Sequence, residues 1–172
     1  FALDTLTQGP QVLVGSSMGG WLMLLVARER AERLRGLIGL AAAPDFTEDL
    51  MWVEFTDVQR TQLEQTGQVV LPSDYDPLEP YIITKALIED GKNHLVLRDP
   101  LNMKMPVRLI QGMKDQDVPW QTALKIQDAL VTDDVEIQFI KNGDHRLSEA
   151  ADLNRLTRTL NNLLLDLESE PV

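Results

Sequence analysis

The chain has 172 residues, 44% of them hydrophobic and 25% charged, the size and make-up of one globular domain with a sizeable core. Its formal net charge of -11 argues against nucleic acid or an anionic membrane as partner, because both would repel it. There is no cysteine, which excludes disulfides and thiolate metal sites and fits a reducing compartment.

Residues 1–7 read as the end of a helix, closed by the breaker pair Gly9-Pro10. Residues 11–16 form a short apolar strand, and residues 18–34 have helical length with a charged far end. Residues 35–42 (RGLIGLAA) are a second strand, residues 106–111 (PVRLIQ) a third and residues 135–140 (VEIQFI) a fourth, with a helix over 120–130 between the last two. Residues 147–167 place Leu153, Leu156, Leu160, Leu163 and Leu164 at helical spacing, the pattern of one packed face. Strands separated by helices predict an α/β fold, a parallel sheet flanked by helices, within a single domain over 1–172. No apolar run is long enough to span a bilayer. The best stretch, 12–27, is broken by a Gly-Ser cluster and ends at Arg28-Glu29-Arg30.

Residues 44–99 break this alternation. They are rich in acids and prolines, carry Trp52, Phe55, Tyr75 and Tyr81, and predict two or three short helices with no clear strand. A helical insertion of that size between two strands is cap-like: it either pads the sheet or covers a site.

Chemistry is concentrated in three short motifs. Gly15-Ser16-Ser17-Met18-Gly19 lies between a strand and a helix, where a sharp turn can hold a serine hydroxyl in the open. The flanking glycines are expected to remove side chains that would clash there. Roughly one chain in twenty of this length would carry such a pentapeptide by chance, so Ser17 needs partners. Of the two histidines, His94 suits a surface or packing role, whereas His145 follows the fourth strand, at the end where parallel sheets place their chemistry. A lone loop histidine would more often cap the next helix; beside a serine and an acid it reads as a base. Asp115 and Asp117 follow the third strand, with Asp45 and Asp144 as outsiders. The spacing Gly112-x-x-Asp115-x-x-Val118-Pro119 favours Asp115. Asp144 is too near His145 in sequence to face its ring, and Asp117 reads as a helix cap.

The order Ser17, Asp115, His145 is that of the α/β-hydrolase triad. VGSSMGGW, GMKDQDVPW and GDHRLS resemble the α/β-hydrolase branch that holds the mitochondrial depalmitoylating thioesterase and acyl-glucuronide esterase, with bacterial relatives. The resemblance covers nearly all of the chain. It implies a serine hydrolase of thioesters or carboxylic esters, with Ser17 as nucleophile, His145 as base, Asp115 as orienting acid and the Met18 N–H in the oxyanion hole. Ser16, Trp21 and Val118, beside the motifs, and Trp52 and Phe55, in the insertion, are expected to contact substrate. No metal or other cofactor is expected, and the partner expected is a small acyl ester or thioester.

Full members of that fold carry four strands ahead of the nucleophile strand, and here about ten residues precede it. The chain is therefore expected to be part of a longer protein, or to be completed by another polypeptide, with the second oxyanion donor outside it. No targeting segment is read after Phe1, and the expected compartment is the cytoplasm, with the mitochondrial matrix suggested by the resemblance. The same triad would serve a peptidase, a lactonase or an acyltransferase, and the fold also occurs in non-catalytic binding proteins.

Overall fold

The computed structural model describes residues 1–72, 78 and 80–169. In chain order the elements are α1 (Ala2–Thr5), β1 (Gln11–Ser16), α2 (Met18–Glu29), β2 (Leu34–Leu40), α3 (Asp57–Thr66), β3 (Gln68–Leu71), β4 (Tyr81–Thr84), α4 (Lys85–Gly91), β5 (Val107–Gly112), α5 (Gln121–Ala129), β6 (Val135–Ile140) and α6 (Ala150–Ser169). The chain divides into two compact units, one made of Phe1–Pro44 with Val96–Val172 and the other of Asp45–Leu95.

In the first unit four strands form the expected parallel sheet, in the order β1-β2-β5-β6. Side chains alternate between its faces. Val12, Ile38, Leu40, Ile110 and Ile140 meet Leu156, Leu160, Leu163 and Leu167 of α6 on one side. On the other side α2 packs on β1 and β2. There Leu109 and Met23 of α2 meet beside Gly39, and Leu37, Leu24 and Ala27 are fully buried. Register sets Ser16 opposite Leu40, Leu40 opposite Ile110 and Gly112 opposite Ile140, so the carboxyl ends of the strands line one edge.

Several sequence expectations shift. The helix after the pentapeptide ends at Glu29, not at residue 34; Ala31–Arg33 is a 3₁₀ turn. Arg33 turns back to donate to the Leu3 and Thr7 carbonyls, tying α1 to the start of β2. The last helix starts at Ala150 rather than 147, because Leu147 is held at φ 45 with its N–H on Asp144 Oδ1. Its packed stripe is Leu156, Thr159, Leu160, Leu163 and Leu167, while Leu153 and Leu164 face solvent.

The second unit holds the helical turns expected within 44–99, but also an antiparallel strand pair that was not expected. QVVL and YIIT are each four residues of β-branched and aromatic character, too short to stand out by periodicity. Thr56 and Gln59 form a capping box at the start of α3, and Gly67 ends it at φ 78. Phe55, Leu63, Val69, Ile83 and Ile88 make the unit's own core. Tyr75 lies outside the described residues. Among the described residues no helix is long and apolar enough to cross a membrane.

Of the two glycines flanking the pentapeptide serine, Gly15 relieves the expected clash and Gly19 does not. A Cβ on Gly15 would overlap the Gly19 carbonyl, and one on Gly20 would overlap the Ala42 side chain, whereas Gly19 has nothing within 4 Å. Close packing of helix on strand therefore rests on Gly15 and Gly20. Gly20→Ala is expected to destabilise the fold by about 1–3 kcal/mol through overpacking. Gly19→Ala should leave stability unchanged or raise it by up to about 1 kcal/mol, the gain in helix propensity. Urea unfolding of the two variants checks this, and equal losses would contradict the geometry.

Candidate active site

Ser17 sits between the last residue of β1 and the first of α2 with φ 52 and ψ -123. A non-glycine residue held there costs on the order of 1–3 kcal/mol, sustained only if the surroundings fix it. Three backbone bonds do so. Ser17 N–H donates to Leu40 O (2.9 Å), while Ser17 O accepts from Gly20 N–H (2.8 Å) and Ala43 N–H (3.0 Å). The elbow is thus fastened to the end of β2, and the serine side chain stands at the N-terminus of α2. The Met18 N–H, in the first turn of that helix, lacks an intrahelical acceptor by its position, and the helix dipole adds positive potential.

Asp115 follows β5 in a tight loop. Its side chain is fully buried, so each lone pair must find a donor. Oδ1 accepts from Asp117 N–H (3.0 Å) and Val118 N–H (2.8 Å). Oδ2 accepts from Gln111 Nε2 (3.0 Å) and faces His145 Nδ1 (2.9 Å). His145 lies after β6, and its loop is fastened to the acid loop by backbone bonds. Lys114 N–H reaches Gly143 O and Met113 N–H reaches Ile140 O, both at 2.9 Å. Gly112 is required between them, because a Cβ there would lie 2.5 Å from the Gly143 and Asp144 carbonyl oxygens. Asp144 itself bonds Leu147 N–H and shapes the turn.

The structure brings Ser17, His145 and Asp115 into one chain of hydrogen bonds, with His145 Nε2 2.9 Å from Ser17 Oγ. An ionised carboxylate only accepts, so Nδ1 carries the proton in the neutral ring and Nε2 accepts from the serine hydroxyl. Burial disfavours the imidazolium, but the hydrogen bond that Nδ1–H donates to Asp115 and the charges of Asp115, Asp117 and Asp144 outweigh it, and the ring pKa is raised above its ordinary 6.5. Ligand-type atoms of Asp115, Asp117 and His145 also lie within 4.8 Å of one another, the span of a cation site. The nearest two, Oδ2 and Nδ1, share a proton, which makes the group a hydrogen-bonded dyad.

The other residues singled out by sequence are dispersed. Val118 is buried and serves the acid loop through its backbone; Trp21 is buried in α2; Ser16 is exposed at the end of β1. In the second unit Phe55 is buried in that unit's core. Trp52 packs edge-on to Phe55, with Arg60 and Lys92 over its ring at 5.3 and 5.1 Å. His94 lies 3.6 Å from Asp90. Sequence reasoning missed Gln111, which it placed only in a strand; the available signal was an amide closing an apolar run four residues before the acid.

Comparison with known proteins agrees with this architecture. The model of the prolyl oligopeptidase family (Peptidase_S9) matches residues 6–166. A mouse protein named palmitoyl-protein thioesterase ABHD10, mitochondrial, is 40% identical over 162 residues, covering 94% of this chain and 54% of its own length. The crystal structure of a putative hydrolase from Agrobacterium vitis S4 is 39% identical with a TM-score of 0.90, over 94% of this chain and 64% of that one. Mouse alpha/beta hydrolase domain-containing protein 10 is also 39% identical, with a TM-score of 0.88 over 96% and 66%. The chain thus spans about half the length of the curated relatives it matches. With the α/β-hydrolase sheet in place and nearly the whole chain matched, it belongs to the prolyl oligopeptidase family.

Proposed function

We propose that Ser17 is the nucleophile of a serine hydrolase that cleaves carboxylic esters or thioesters through an acyl-enzyme. The observation that carries this reading is the pair of 2.9 Å contacts, Asp115 Oδ2 to His145 Nδ1 and His145 Nε2 to Ser17 Oγ, on a serine held at positive φ. Ser17 Oγ attacks the acyl carbonyl carbon as its proton passes to Nε2. The bond to the leaving atom then breaks, with the Nε2 proton delivered to that atom. Water attacks the acyl carbonyl carbon as its proton passes to Nε2; the bond to Oγ then breaks, Oγ takes the proton back from Nε2, and the carboxylic acid is released. Asp115 holds the ring and stabilises the imidazolium throughout. The Met18 N–H is one oxyanion donor. Losing one such donor typically costs roughly 10²–10³ in kcat.

Thioesters of long acyl chains are the favoured substrate class, supported by the names of the relatives at about 40% identity. The same names support a mitochondrial compartment. A peptidase reading draws on the family's name alone, since the triad fixes the nucleophile and not the leaving group. Parallel assays on acyl-thioester, ester and peptide substrates separate the two.

Ser17→Ala should lower hydrolysis of a short p-nitrophenyl ester by roughly 10⁴-fold or more and abolish fluorophosphonate labelling. Unchanged hydrolysis or labelling of the variant would refute the proposal.

The base must be neutral to accept the serine proton, so kcat/KM should rise with pH as His145 deprotonates. Because the ring pKa is raised, the midpoint of that acidic limb is expected above 6.5. Removing negative charge in Asp117→Asn or Asp144→Asn should move it to lower pH. A pH–rate profile with a midpoint that rises or stays fixed in both variants contradicts the electrostatic account.

A further inference from the structure

Gln111 is 1% exposed on a strand whose other side chains, apart from the ion-paired Arg108, are apolar or absent. A buried amide is costly unless it is hydrogen-bonded, and an apolar residue would fill the same space more cheaply. Its Nε2 donates to Asp115 Oδ2 (3.0 Å) and to Val118 O (3.2 Å), with Gly112 O at 3.3 Å. One side chain therefore grips both the carboxylate and the far end of the loop whose N–H groups hold Oδ1.

We infer that Gln111 is a positioning residue of the hydrolysis proposed above, on which this inference rests: its Nε2–H fixes Asp115 Oδ2 toward His145 Nδ1 and shares the charge of that oxygen. Oδ1 is held by backbone, whereas Oδ2 is held by two side chains, Gln111 and His145. Without the amide, Oδ2 has the imidazole as its sole remaining donor of these two. The carboxylate then keeps more charge for the ring, and the imidazolium is stabilised further. It is also freer to rotate, which loosens the Nε2–Oγ alignment that the attack needs. The charges acting on the ring are those of Asp115, Asp117 and Asp144, while Lys114 and Arg146 of the same loops are exposed.

The test is Gln111→Met, similar in size and without a donor, alongside the unaltered protein. Three quantities are read: kcat and KM on a p-nitrophenyl ester per fluorophosphonate-labelled site, and the His145 titration by proton NMR, simplified by the presence of only two histidines. We expect kcat to fall roughly tenfold to a hundredfold, the loss of a hydrogen bond to a charged group. KM should stay within about twofold, with the His145 midpoint moved to higher pH. A residue that merely packs the strand would change the melting temperature and leave both kcat per labelled site and the midpoint in place; that result overturns the inference. A second reading needs no variant. In the unaltered protein the Gln111 side-chain amide signals should shift in step with the His145 titration, because both groups bond the same oxygen, and amide signals indifferent to it overturn the inference equally. If the unaltered protein is not labelled at Ser17, the hydrolase reading falls and this inference with it. If it is labelled and Gln111→Met behaves as the parent does, the inference alone falls.

Discussion

A carboxylate with no solvent around it stays ionised only if the protein supplies the donors that water would have given. Asp115 meets that demand with two backbone N–H groups, one amide and one imidazole. The demand dictates much around it. The loop must curl so that Asp117 and Val118 face back on Oδ1, Gln111 must close the strand, and Gly112 must lack a side chain so that the histidine loop can come close. The histidine is then a structural partner of the acid as well as its chemical one. Its ring is held because it completes the shell of a buried charge.

The serine end is governed by a backbone constraint instead. Ser17 occupies a conformation that L-residues avoid, and it is stabilised by bonds to Leu40, Ala43 and Gly20 rather than by its own side chain. Those bonds exist because β1 and β2 run parallel in register to their last residues and because α2 lies close, at Gly20, to Ala42 in the segment just after β2. The Oγ is thus left free of structural duty, so its hydrogen bond to Nε2 is available for transfer. Carboxylate and serine are fixed by two independent mechanisms, and the imidazole spans the gap between them.

This division explains what could be read from the sequence. Three strands of the sheet were legible as short apolar runs, the signature of parallel strands, and the fourth, VEIQFI, by its alternation of apolar and polar residues. The proposed triad was legible because each member sits in a short motif beside its strand, and chain order orients the set. The strands Gln68–Leu71 and Tyr81–Thr84 were hidden because four residues cannot establish a period. The start of α6 was misplaced because Leu147 continues the apolar pattern while its positive φ excludes it from the helix. The roles of Gly20 and Gln111 were invisible because each depends on a residue brought near only by the fold: Ala42 for one, the curled acid loop for the other.

The electrostatics of His145 bear on which leaving group suits this site. Three aspartates around the ring stabilise its charged form, making it a stronger base and a weaker acid. Deprotonating the serine benefits, while protonating the leaving group suffers. The cost of that trade depends on what departs. An amine has to be protonated before it can leave, so an amide substrate asks the most of the imidazolium. A thiol ionises near pH 8.5, so a thiolate leaves with little help from an acid. The aspartates of the acid and histidine loops therefore weigh most against amides and least against thioesters, which favours the proposed thioesterase reading over a peptidase one.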